Sequence, residues 1–340
     1  MKKPLYLLLI LINLLLGADT LKIANYNVEN LFDLSYEGHE YKEYIPYTRS
    51  QWNQKNYFKK LNNIAKVIKD IDADIIALEE IESLKALKDL RLTLKRKGLY
   101  YPYYKIANAK NTTVKVAVLS KIPFVYTKEI FVTHSYEYRN ILEIKIMIEN
   151  EPLYIFVNHW KSKSGPESKR VLSAKKLRQR IKQLGMNNNI IALGDFNSDY
   201  EEYIRFKRKR RHNDTRGVTG INHILGTVNY QTDSKKAKIH KFDLYNLWYD
   251  IKNPQQRYTY IYKGDKEALD HILISAALLD KKGLDYKTDS IHPFEKKYLF
   301  HRKSIYRWQL TWRKPHRHLG KGYSDHLPLI AEFTIKDTNQ

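Results

Sequence analysis

Ile190-Ile191-Ala192-Leu193-Gly194-Asp195-Phe196-Asn197 runs four apolar residues into a glycine, a carboxylate and an amide. The apolar run is too short for a convincing helix and reads as a buried strand. Gly194 lets the backbone turn or come close to a neighbour. On an extended chain Asp195 and Asn197, two apart, point to the same side. An Asp can take a proton from water and an Asn can donate to an oxyanion, so this strand end suits phosphate and metal chemistry. Taken alone, the same letters also describe a strand followed by an Asx turn.

Working outward, the pattern recurs. Leu21–Val28 alternates like a strand and carries Asn27, with Glu29, Asn30 and Asp33 after it. Residues 34–56 are polar and Tyr-rich, a long surface loop. Phe58, Leu61, Ile64, Ala65, Val67, Ile68 and Ile71 have helical spacing. Asp74–Leu78 is an apolar strand that ends in Glu79 and Glu80. Val114–Ser120, Asn140–Ile148 and Leu153–Trp160 are further strands, with Arg139 before the second and Asn158-His159 closing the third. Lys161 and Lys163 lie in a small-residue loop able to meet phosphate, and Asn158 just before it is a candidate for the same contact. Pro166–Leu184 reads as a basic helix stopped by Gly185. Tyr258–Tyr262 and Leu269–Ser275 look like a strand pair, with Asp270 on the second. Ser324-Asp325-His326 leads into a last strand, Leu329–Ile335. With no internal repeat or linker, residues 19–340 read as one α/β domain carrying basic insertions near 205–212 and 285–322.

Residues 1–18 have a basic start, an apolar run from Leu5 to Leu16, and Gly17-Ala18: the pattern of a cleaved signal peptide. The expectation is export, to the periplasm or outside the cell, with no transmembrane anchor after cleavage. The chain has no Cys, which excludes a disulfide scaffold, a thiol nucleophile and a thiolate metal site. Its 340 residues suffice for one large core. Net charge is +23, from 60 Lys and Arg against 37 Asp and Glu, and favours a polyanionic partner. The 27 tyrosines, interleaved with cations, can stack on bases or fill a core.

Asn27, Glu80, Asn158-His159, Asp195 with Asn197, Asp270, and Asp325-His326 all close separate apolar strands. Ligands gathered at strand ends on a rigid scaffold are a common way to build an active site. Their types suit one chemistry: oxygen ligands for a hard divalent ion, and histidines for proton handling.

Carried by Gly194–Asn197 and Ser324–His326, and supported by Leu269–His271 and Asn158–His159, this order resembles the endonuclease/exonuclease/phosphatase superfamily. That superfamily includes DNase I and the abasic-site endonucleases, and an exported bacterial nuclease branch fits this chain. The resemblance spans roughly residues 21–335. It implies a four-layer α/β sandwich, two mixed β-sheets face to face with helices outside. It also implies Mg²⁺, with Mn²⁺ or Ca²⁺ as alternatives, held by Glu80, Asn27 and Asp325. Asp195 would orient or deprotonate water, Asn197 would orient it and meet phosphate, and His326, held by Asp270, would act on the scissile phosphate. His159 matches the second His of the DNase I-like branch, and Arg139 a phosphate-contacting cation. One departure stands out: the strand Val114–Ser120 carries Lys115 where DNase I supports its second His with an acid, which puts His159 in question as a general acid.

The expected function is metal-dependent hydrolysis of nucleic acid, with a DNA endonuclease first. A secreted sphingomyelinase or inositol or lipid phosphoesterase is the alternative. A non-catalytic polyanion binder is a third reading, disfavoured because acids weaken a polyanion site. No obligate protein partner is implied.

Overall fold

The computed structural model describes residues 20–108, 112–185, 187–206, 212–227 and 242–336. The signal-peptide reading of residues 1–18 and most of the 205–212 basic run fall outside these residues. At the rim of that run, Arg205 pairs with Asp199 at 3.1 Å.

In chain order, β1 (Thr20–Leu31) is followed by α1 (Gln54–Ile71), β2 (Ile75–Ile81), α2 (Leu84–Arg96), β3 (Tyr103–Ile106) and β4 (Lys115–Ser120). Next come β5 (Tyr126–Ile130), β6 (Ile141–Ile148), β7 (Glu151–His159), α3 (Glu167–Leu184), β8 (Asn189–Asp195) and the single turn α4 (Glu202–Arg205). The C-terminal third holds β9 (Tyr245–Asn246), β10 (Tyr260–Tyr262), β11 (Asp265–Glu267), β12 (Asp270–Ile274), β13 (Leu284–Tyr286), β14 (His292–Pro293), β15 (Phe300–His301), β16 (Ser304–Ile305) and β17 (Leu329–Ile335).

Two mixed sheets result. One runs β13-β17-β1-β2-β4-β3, with β14 also on β17; the other runs β5-β6-β7-β8-β12-β9. Their facing sides make one core: Ile23, Val118, Ala331 and Phe333 against Ile144, Ile155, Leu193 and Ile272. Helices α1 and α2 cover the first sheet through Leu61, Ile64, Ile68, Leu87 and Leu90. Helix α3 covers the second through Ala174, Leu177 and Ile181. This is the expected four-layer sandwich.

Local chemistry sets the ends. Asn53 and Ser83 cap α1 and α2 by accepting the Asn56 and Ala86 amides. The Asn53 cap starts α1 inside the segment expected to be all loop. Gly194, at φ 134°, has no substitute: a Cβ there would lie 2.0 Å from the Asn158 carbonyl of the parallel neighbour β7.

Two expectations are corrected. The strands at 258–262 and 269–275 do not pair with each other. Lys263 and Gly264, both at positive φ, close a tight hairpin that pairs β10 with β11. Strand β12 joins β8 instead, in a register that sets Asp270 opposite Asp195. The 285–322 segment is not a simple insertion either. Strands β13 and β14 lie in the first sheet, and Leu299, Ile305 and Trp308 are buried in the core under it.

Candidate active site

Parallel strands β1 and β2 lose register between Asn27 and Leu31. Glu29, Asn30 and Glu80 have positive φ there. Such bulges re-aim side chains, and here they separate the two acids ending β2. Glu79 is fully buried, and neither of its carboxyl oxygens has a hydrogen-bond partner. Burial, with Asp270 and Asp195 nearby, holds its pKa well above the usual range. Glu80 stays partly exposed beside Asn27.

Asn27 is the bracket of the cluster. Its Nδ2 donates to Glu80 Oε1 at 3.2 Å and to Asp195 Oδ2 at 3.1 Å, while its Oδ1 accepts the Glu29 amide. With that orientation an oxygen ligand from Asn27 requires the amide to turn over. Asp325 lies 3.4 Å from Arg307, which also bonds Glu29 at 2.9 Å through Nε.

Beyond Asp195 the chain does not stay extended. Asn197 is at φ 49°, and its amide donates to Asp195 Oδ1 at 2.8 Å, so the Asx turn forms. The turn folds the Asn197 Nδ2 back onto Asp195 Oδ2 at 3.1 Å, and the two side chains meet by that route. Burial pushes the Asp195 carboxyl up to about 7; His326 lowers it, and Asp270 and Glu80 raise it.

Asp270 receives three donors. Asn25 Nδ2 donates to Oδ1 at 3.0 Å, Thr259 Oγ1 to Oδ2 at 2.5 Å, and the His326 Nδ1 lies 2.7 Å from Oδ2. Burial alone would lower the His326 pKa. The charge and hydrogen bond of Asp270, with Asp195 and Asp325 behind it, outweigh that and hold it well above its ordinary value. The sequence reading missed Asn25, Thr259 and Arg307. Asn25 had a signal, because it lies two residues before Asn27 on one strand.

His159 is buried, with Nε2 3.5 Å from Asp195 and 3.9 Å from Glu80. Its Nδ1 has no partner. Burial lowers its pKa well below the usual value, and the charges of Arg139 and His326 lower it further. Arg139 donates from Nη1 to the Trp160 carbonyl at 3.3 Å, and its buried Nε is unpartnered.

Three expected phosphate contacts are spent elsewhere. Asn158 is fully buried, with its amide bonded to the Phe156 and Leu193 carbonyls and to the Trp160 indole. The Lys163 ammonium sits between Glu202 and Glu267 at 2.9 and 3.0 Å. Lys161 pairs with Glu137 at 3.5 Å. These side chains hold loops in place.

Glu29, Glu80, Asp195 and Asp325 therefore form one acidic cluster, in which Asn27 joins Glu80 to Asp195 and Arg307 contacts Glu29 and Asp325. That surplus of oxygen donors fits a hard divalent ion, which Glu80 and Asp325 would hold. Glu37, His39 and Glu82 form a second group, unremarked in the sequence, with ligand atoms within 4.8 Å of one another. It lines a cavity of ≈ 630 Å³ shared with Lys105 and Lys115.

The family model described as "Endonuclease/Exonuclease/phosphatase family" matches residues 22–334. The chain belongs to that family. Its members are hydrolases of phosphoester bonds. No curated protein matches the sequence. Among solved structures, D. rerio TDP2 complexed with a single-strand DNA product aligns at TM-score 0.55 and 15% identity, covering 93% of this chain and 99% of the other. A Bacteroides thetaiotaomicron protein of the family aligns at TM-score 0.56 and 15% identity, with 93% and 98% covered. The mannosyl-6-phosphatase Bt3783 of the same organism aligns at 0.54 and 15%, with 93% and 100% covered. At such identity these likenesses speak for the fold.

Proposed function

We propose that this family member is an exported, divalent-metal-dependent phosphodiesterase that hydrolyses nucleic acid, a DNA endonuclease in the first instance. The observation that carries the reading is the Asp270–His326 pair at 2.7 Å, with Asp195 directly opposite Asp270 on β8. It joins a cation able to meet a phosphoryl oxygen to a carboxyl poised near neutral pH to accept a proton from water. Asn197, bonded to Asp195, orients that water. Arg139, with a free buried N–H, donates to the phosphate. A divalent ion at Glu80 and Asp325 would supply positive charge for the oxygens that gain negative charge during attack. The net charge of +23 supports a polyanionic substrate, and the likeness to a DNA-bound TDP2 is consistent with it.

The substrate claim is tested with purified protein lacking residues 1–18, incubated with plasmid DNA, RNA, sphingomyelin and a sugar phosphate, each with and without EDTA. Nicking and linearisation of the plasmid, abolished by EDTA, is the expected result. Hydrolysis of the lipid or the sugar phosphate with DNA untouched would replace this reading with the corresponding phosphoesterase. Export is tested by fusing residues 1–30 to a reporter that is active only outside the cytoplasm.

A further inference from the structure

Four of the five tryptophans, Trp52, Trp160, Trp248 and Trp308, are at most 2% exposed, whereas Trp312 is 94% exposed. Its loop is well bonded. Leu310 bridges His318, the Thr311 amide donates to the Arg317 carbonyl, and the Arg317 amide donates to Thr311 Oγ1, each bond at 2.9 Å. At its root, the Trp308 indole donates to His318 Nδ1 at 2.7 Å, and the His318 Nε2 bonds the Glu43 carbonyl at 2.8 Å. The same root touches the site, because the Trp308 amide donates to Glu29 Oε2 at 2.8 Å. A four-residue reach places Trp312 within about 14 Å of Trp308 along the chain.

The hairpin's charge is one-sided. Arg313, Lys314 and Arg317 are exposed, and no carboxylate among the described residues pairs with them. Residues 308–324 contain no acid at all. By contrast Lys163, Lys169, Arg170 and Arg180 are all committed to carboxylates.

We propose that the Thr311–Arg317 hairpin is a nucleic-acid subsite, in which the Trp312 indole stacks on an unpaired base and Arg313, Lys314 and Arg317 take the flanking phosphates. This rests on the reading of nucleic acid as the substrate. A rigid exposed ring beside unpaired cations suits bases, whose π-faces are sequence-tolerant platforms. A membrane-inserting tip would need several apolar side chains together. Within residues 308–324 the exposed large hydrophobics are Trp312 and Leu319, the latter at 47%.

Because Trp312 is the sole exposed tryptophan, acrylamide quenching reads its accessibility directly. The protein is titrated in EDTA with a fluorescein-labelled dodecathymidylate, following anisotropy and acrylamide quenching together. Expected are protection of Trp312 at saturation and about five- to a hundredfold weaker binding by Trp312→Ala. Trp312→Phe should retain most of the affinity, with circular dichroism confirming that each variant folds. Replacing Arg313, Lys314 and Arg317 by Gln should flatten the salt dependence by about two units of slope. Oligonucleotide binding that leaves Trp312 as accessible as before, or that Trp312→Ala does not weaken, overturns the subsite and leaves the functional reading standing. Protection of Trp312 by phosphatidylglycerol vesicles but not by the oligonucleotide overturns it in favour of a membrane tip. Absence of any oligonucleotide binding removes the nucleic-acid reading and the subsite together.

Discussion

His326 and His159 flank the same cluster of carboxylates, and their surroundings give them opposite chemistry. His326 has an aspartate at 2.7 Å, itself fixed by Asn25 and Thr259, and is held protonated. His159 has an unpartnered Nδ1 and two cationic neighbours, and is held neutral. Its nearest acid, Asp195, is raised to about 7 by burial and so is only partly ionised at neutral pH. One position therefore supplies a fixed cation and the other a neutral imidazole. The difference lies in the second layer of residues. A histidine at a strand end has no assigned role until the group behind its far nitrogen is known.

The largest effect should separate the two rings. His326→Ala should lower turnover of a small phosphodiester by about 10²–10⁴-fold, and His159→Ala by a smaller factor of about ten to a hundred. Steady-state kinetics on both variants checks this, and equal losses would break the comparison. Next comes the pair. Asp270→Asn should impair turnover through His326, so the double variant with His326→Ala should be scarcely worse than His326→Ala alone. Multiplying losses would mean that Asp270 acts independently.

A smaller effect concerns a third buried histidine. His318, at the hairpin root, is pushed down to about 4 by burial. Its folded pKa lies below the unfolded value of about 6.5, so its neutral-state contribution is complete above pH 6.5. As pH falls toward 4 the unfolded chain binds a proton that the native one refuses. Stability should then decline by about 1.4 kcal/mol per pH unit from this group. Urea denaturation of the parent and of His318→Gln across that range should show their stability gap narrowing as pH falls. A constant gap would mean that folding does not lower the His318 pKa.

The fold was legible because apolar runs bounded by Gly and Pro carry strand and helix periodicity directly. The Gly194–Asn197 and Ser324–His326 runs pointed to the polar cluster, and Gly194 is a visible letter because a Cβ there would lie 2.0 Å from the Asn158 carbonyl. The role of each residue was less legible. Lys161 and Lys163 read as phosphate cations because their acidic partners, Glu137, Glu202 and Glu267, are remote in sequence or lie in other loops. Asn158 read as a site residue because strand alternation does not say which face meets the substrate. Glu79 and Glu80 were indistinguishable as letters. A bulge at Glu80, set by pairing with β1, sends one carboxyl into the core and the other to the cluster. The helix α2 went unremarked although Ser83 caps it.

Glu80 and its neighbours should gather a divalent ion that the hydrolysis requires. The most direct measurement is the rate of bis(p-nitrophenyl) phosphate hydrolysis against Mg²⁺ concentration, starting from EDTA-treated protein, for the parent and for Glu80→Gln. The parent should be silent in EDTA and recover saturably with Mg²⁺. Glu80→Gln should fold normally by circular dichroism yet remain inactive, or need far more metal. Undiminished hydrolysis in excess EDTA, or a Glu80→Gln variant with the parent's metal response, would show that Glu80 holds no catalytic metal.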